Sequence, residues 1–127
     1  MHGTHDGTAD TETVLRDVLD LWKEAVDGHE PERAASVFTE DAVFQGLRPY
    51  SVGRRGVADY YASQPLGLRA DYRVLESRRL SDDVVLGYLA VDFSFTDRPT
   101  LHVSLGVVLR RTGDRWRINH YQVSSPV

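Results

Sequence analysis

Three side chains in the C-terminal half have the chemistry of a reaction centre: Tyr88, Asp92 and His120. Imidazole titrates near neutral pH, so His120 suits general acid or base work. The plainer reading is a core histidine hydrogen-bonded to Tyr88 or to backbone. Asp92 sits between Val91 and Phe93 in an apolar run, where an unpaired carboxylate is costly to bury. Left unpaired it is a usable base; paired with Arg73 it is structural. Asp71, Arg73 and Asp92 could together hold a water between two carboxylates and a cation, or form a salt-bridge cluster. Tyr88, Arg73 or Gln122 could donate to an oxygen on which negative charge develops.

These groups can cooperate only if the strands carrying them present them to one cavity. Residues 71–80, 84–95, 100–110 and 116–124 read as β-strands, separated by Ser81-Asp82-Asp83, Thr96-Asp97-Arg98-Pro99 and Thr112-Gly113-Asp114-Arg115, all good turn chemistry. Short turns make neighbours antiparallel. Ahead of them, Val14, Leu15, Val18, Leu19, Leu21, Trp22, Ala25 and Val26 form a helical apolar stripe from Thr11, which Gly28 should end in a left-handed cap. A second helix starts near Pro31 and buries Ala34, Val37 and Phe38. Ala42-Val43-Phe44 is a short strand, Gly46 to Gly53 a loop, and a third helix runs from Val57 to Ser63. Residues 1–10, with His2 and His5, read as a disordered tail, which leaves 11–127 as a single domain.

Helices first and strands last give an α+β fold. Three N-terminal helices pack on the concave face of a curved antiparallel sheet. Side chains alternate along strands, so the choice of inward residues fixes the site. Pairing Arg111 with Trp116, Phe95 with Thr100 and Arg79 with Val84 turns Asp71, Arg73, Tyr88, Asp92, Val107, His120 and Gln122 inward. Tyr88, Val107 and His120 then share one row, and Asp71 and Asp92 another. Trp22, Phe44 and Tyr60 or Tyr61 supply walls and lid. An apolar cavity with a few converging polar groups is the usual make-up of a small-molecule site. The same register leaves Leu89, Val91, Phe93, Phe95 and Val108 on the outer face, where a second subunit should cover them.

Composition narrows the class. The formal charge is −4, with basic residues scattered, which argues against a nucleic-acid footprint. There is no cysteine, so disulfides, thiolate nucleophiles and Cys-type metal sites are excluded. No ligand set has metal spacing, and no cofactor is expected. No apolar run approaches a membrane span and the start lacks a signal peptide's regions, so a cytoplasmic protein is expected. Gly53-Arg54-Arg55-Gly56 lacks the length and the Lys-Ser/Thr of a phosphate loop.

Several strings resemble one family. Asp27-Gly28, Phe38-Thr39-Glu40-Asp41-Ala42-Val43-Phe44, Gly53-Arg54-Arg55-Gly56-Val57 and Gly113-Asp114-Arg115-Trp116-Arg117-Ile118 resemble the nuclear transport factor 2-like superfamily, and within it the SnoaL-like group found beside polyketide and enediyne biosynthetic enzymes. The resemblance implies a cone-shaped fold, usually dimeric through its sheet, with a deep pocket between sheet and helices. It also implies one of several activities: polyketide cyclase, steroid isomerase, epoxide hydrolase, or a noncatalytic binding module. The expected function is thus a cofactor-independent cyclase or isomerase of a polyketide-like or polycyclic carbonyl compound. Asp92, His120 and Tyr88 would do the chemistry, and Trp22, Phe44, Tyr60, Tyr61, Asp71, Arg73, Val107 and Gln122 would hold the substrate. The alternatives are a noncatalytic hydrophobic-ligand or scaffold module, and an epoxide hydrolase.

Overall fold

The computed structural model describes residues 6–125, and for residues 6–10 the backbone alone. The elements in chain order are α1 (Asp6–Asp27), α2 (Pro31–Ser36), β1 (Phe38–Gln45), β2 (Ser51–Val52), α3 (Arg54–Ala62), β3 (Arg69–Ser81), β4 (Val84–Ser94), β5 (Leu101–Thr112) and β6 (Arg115–Ser124). The tail expected over residues 1–10, with His2 and His5, falls outside the described residues as far as residue 5. From Asp6 the backbone is already helical, ahead of the expected start at Thr11. Among the described residues no helix is long and apolar enough to cross a membrane.

One curved sheet of order β2-β1-β6-β5-β4-β3 carries the fold. Its pairs are antiparallel except β1 with β6, which run parallel. The helices close the concave side. Leu15, Leu19, Trp22 and Ala25 of α1 are fully buried, meeting Val85, Leu89, Leu105, Leu109 and Ile118 in a single core. Gly87 makes the closest approach possible: a Cβ there would lie 2.7 Å from Leu15 Cδ1.

The last turn of α1 is bolted to the start of β3. Lys23 Nζ donates to the Ala70 carbonyl at 2.6 Å, to Asp71 at 2.9 Å and to Asp27 at 2.8 Å. Asp27 Oδ1 in turn accepts the Ala70 N–H at 2.8 Å. The left-handed residue after this helix is His29 (φ 52°), not Gly28. Gly28 answers a steric demand instead, because a Cβ there would sit 3.2 Å from the Glu24 carbonyl oxygen. Val37 and Phe38 leave the second helix, with Phe38 opening β1, and the expected loop holds the two-residue strand β2.

Strand parity departs from the expected register, and the departures are local. Phe93 pairs with Leu101 and Asp92 with His102, one residue away from the pairing expected across the β4–β5 connection. A one-residue shift inverts a strand's faces. Val85, Gly87, Leu89, Val91 and Phe93 are therefore buried inward, while Leu86, Tyr88, Ala90 and Asp92 face out. Leu89, Val91 and Phe93, expected outside, are core. On β6 the pairing Arg111–Trp116 is as expected, but the ladder steps from Leu109–Ile118 to Val108–His120, leaving Asn119 as an extra residue. That bulge sends His120 and Gln122 outward and turns Tyr121 and Val123 inward. On β3 a second bulge at Leu75 separates Val74–Leu89 from Glu76–Tyr88. Asp71 does stand opposite Asp92, and Arg73 opposite Ala90, but on the outer face. Only Val107 keeps its expected inward position.

The bulge yields a test. Deleting Asn119 restores strict alternation and would bury His120 and Gln122 while expelling Tyr121 and Val123. The expected result is loss of the cooperative unfolding transition, followed by circular dichroism in urea. A deletion variant that melts like the parent would show that the bulge does not set the faces.

Candidate functional site

The concave interior is filled by aromatic rings drawn from four elements. Trp22 comes from α1, Phe44 from β1, Tyr60 and Tyr61 from α3, and Tyr121 from β6. Phe44 stacks on Tyr121 at 4.6 Å between centroids, and Trp22 meets the edges of Tyr121 and Phe93 at 5.9 Å and 6.2 Å. These offset and edge contacts suit the ring quadrupoles. At their centre Trp22 Nε1–H donates to the Tyr61 hydroxyl at 3.0 Å, and the Tyr61 and Tyr121 hydroxyls lie 3.3 Å apart.

Counting protons makes this set chemically specific. An indole N–H and two hydroxyls supply three polar hydrogens, yet they make only two bonds. One phenolic proton, on Tyr61 or Tyr121 according to how the hydroxyls rotate, finds no acceptor among the described residues. Burial pushes the Tyr61 phenol well above its ordinary range, although hydrogen bonds from Tyr121 and Trp22 pull it partly back. Burial raises Tyr121 as well, and the neighbouring Tyr61 adds to it. Both stay protonated at neutral pH. They are donors and not bases.

Tyr61 also borders the one apolar notch that opens from this interior toward the surface. Tyr60, Gln64 and Leu68 come from α3 and the segment after it; Phe93, Phe95, Leu101 and Val123 come from the sheet, and Leu47 forms the rim. Its volume is about 40 Å³, far below the ~300 Å³ at which ordinary small-molecule sites begin. Trp22, Phe44 and Tyr121 occupy the rest of the cone. Tyr60 is held in place by Gly46, where a Cβ would come within 2.6 Å of its ring.

The sequence-predicted site residues divide between two faces. Trp22, Phe44, Tyr61 and Val107 are buried inside, and Tyr60 is half-buried at the notch. Tyr88, Asp92, His120, Gln122, Asp71 and Arg73 are outside, so the inward acid–base set is not assembled. Asp92 instead accepts from or donates to the exposed His102 ring at 2.6 Å, depending on protonation, and Asp71 pairs with Lys23. Arg73 pairs with neither carboxylate, so the water-holding trio does not form. Tyr88, His120 and Gln122 border a shallow outer trough of about 380 Å³ over Gly106. Tyr121, Gln64 and Leu68 were missed by sequence reasoning. For Tyr121 a signal existed: the apolar spacing Ile118, Tyr121, Val123 breaks the period of two, which is the mark of a bulge.

Comparison with known proteins agrees with this architecture. A family model described as a SnoaL-like domain matches residues 15–127. No protein of curated function matches the chain. Among solved structures, a function-unknown protein from Mycobacterium tuberculosis superposes with a TM-score of 0.83 at 17% identity, covering 98% of this chain and 76% of the other. An NTF-2 like protein of unknown function from Shewanella oneidensis gives 0.77 at 15% identity, covering 89% and 98%. A ketosteroid isomerase-like protein from Erwinia carotovora atroseptica gives 0.73 at 19% identity, covering 91% and 95%. At these identities the likeness is one of fold.

Two measurements check the buried trio. Tyr61→Phe strands the Trp22 N–H and removes the only partner of the Tyr121 hydroxyl, so it should cost about 1–3 kcal/mol. Tyr121→Phe removes a hydroxyl bonded only to Tyr61 and should cost less; equal losses in urea melts would contradict the assignment. The second check is alkaline titration. Below about pH 10 the phenols are neutral whether the chain is folded or unfolded, and they contribute no pH dependence. Above it the unfolded phenols ionise while the buried ones do not, so stability should fall as pH rises. Phenolate absorbance should show Tyr61 and Tyr121 ionising only as the protein unfolds.

Proposed function

The chain belongs to the SnoaL-like domain family, and from that premise we propose that it is a noncatalytic pocket protein for a small, largely apolar molecule bearing one oxygen acceptor. The observation that carries this reading is the unspent phenolic proton of the Tyr61–Tyr121 pair beside an apolar notch. A buried donor without an acceptor is costly, and a ligand carbonyl entering the notch would relieve that cost. Apolar walls supply the remaining affinity through exclusion of water. Leu47, 56% exposed at the rim, is the wall free to swing aside as the ligand enters.

An acid–base cyclase or isomerase would need a group that takes up a proton near neutral pH beside the ligand. The polar groups lining the notch are Tyr60, Tyr61 and Gln64, none of which does so. Binding is therefore the better-supported reading. The outer face is proposed to receive a second copy of the chain, since exposed Tyr88 and half-buried Leu86 and Val108 border the trough over Gly106.

The binding test compares acetophenone with ethylbenzene, which share a ring and differ in the carbonyl. The wild-type protein should prefer the ketone by about tenfold, the equivalent of one good hydrogen bond. Tyr61→Phe should erase the preference while leaving ethylbenzene binding in place. Equal affinity for both compounds in the wild type, measured by ligand-observed NMR, would refute the donor's role. For the dimer, Tyr88→Lys should shift sedimentation velocity from a two-chain to a one-chain species; a wild-type monomer at micromolar concentration would rule the dimer out.

A further inference from the structure

A second cleft, of about 310 Å³, lies where the start of β1 and of α3 meets the hairpin end of β5 and β6. We propose that it binds a doubly charged oxyanion of the phosphate type. Arg110 and Arg117 stand directly opposite one another across β5 and β6, an arrangement that like charges disfavour. Arg54 joins them from the first turn of α3, where the helix dipole is positive and cations are unfavourable. That turn holds no acidic residue, and no side chain caps it. Among the described residues none of the three guanidiniums pairs with a carboxylate. Two separate electrostatic costs thus converge on one cleft, and a single bound anion would offset both.

The guanidiniums are also aimed. Arg54 Nε–H donates to the Phe38 carbonyl at 2.8 Å, and Arg117 Nε–H to the Ser36 carbonyl at 3.3 Å. Each bond spends one of five N–H groups and leaves the terminal nitrogens for a ligand, in the fork geometry that suits phosphate. Two carboxylates border the cleft, Glu40 and Asp41, against three arginines. Asp41 Oδ1 is already engaged by the Thr39 hydroxyl at 3.0 Å and the Asn119 amide at 3.2 Å. Asn119 reaches it because it is the extra residue of β6. The bulge that turns Tyr121 inward therefore also furnishes this cleft. Glu40 makes no hydrogen bond or ion pair and is the group that would weaken anion binding.

The experiment is an amide and arginine Nε NMR titration with inorganic phosphate at constant ionic strength, with chloride as control. Saturable shifts confined to Thr39–Asp41, Arg54, Arg110 and Arg117–Asn119, absent with chloride, are expected. Arg110→Gln should weaken binding at least tenfold, and Glu40→Gln should tighten it. Without phosphate, Arg110→Gln should keep or raise the melting temperature, because it removes a like-charge contact. Ribose 5-phosphate run in parallel distinguishes sources: tighter binding than inorganic phosphate indicates a phosphorylated metabolite, and equal binding the free ion. Shifts that match those of chloride, that persist in Arg110→Gln, or a melting temperature lowered by that substitution would overturn the proposal. Tyr61→Phe should leave the titration unchanged, which separates this cleft from the cone.

Discussion

One extra residue in the central strand decides which chemistry lies on which side of the sheet. Asn119 breaks the alternation of β6, the strand that joins antiparallel β5 to parallel β1. Side chains reverse face at every residue, so a single insertion transposes everything that follows. Tyr121 becomes the partner of Trp22, Phe44 and Tyr61, and His120 is exported to the outer surface. No rearrangement of a single side chain could reverse that division.

The result is a neutral interior and a charged exterior. Inside, apolar side chains surround donors that stay protonated. Groups of this kind can hold a carbonyl oxygen, but they do not remove a proton at neutral pH. Outside, Asp92 with His102 and Asp71 with Lys23 form exposed pairs, in which solvent screening leaves little energy. The arginines of the cleft differ from these pairs because no carboxylate answers them.

The aromatic filling explains why the notch is small. Burial of Trp22, Phe38, Phe44 and Tyr121 contributes several kilocalories per mole each at about 25 cal/mol per Å², and it consumes the space that a deeper cone would offer a ligand. Stability and pocket volume compete for the same rings. The Lys23–Asp27–Ala70 clamp then sets where α1 lies across the sheet, and with it how far Trp22 reaches toward Tyr61.

Period and punctuation in the chain were enough to establish the α+β class, the order of helices before strands, and the burial of Trp22, Phe44, Tyr61 and Val107. Those features follow from local apolar spacing and turn chemistry, which act over a few residues. Strand parity was decided elsewhere. The β4–β5 register depends on where the connection between Phe93 and Leu101 closes, and the bulges at Leu75 and Asn119 depend on packing against neighbouring strands. Each is a one-residue choice whose local cost is small and whose long-range consequence is the whole face of a strand. Only the tertiary structure, by burying one set of faces under the helices, could select among them. Tyr88, Asp92 and His120 fell on the outer side, and the Tyr61–Tyr121 pair on the inner.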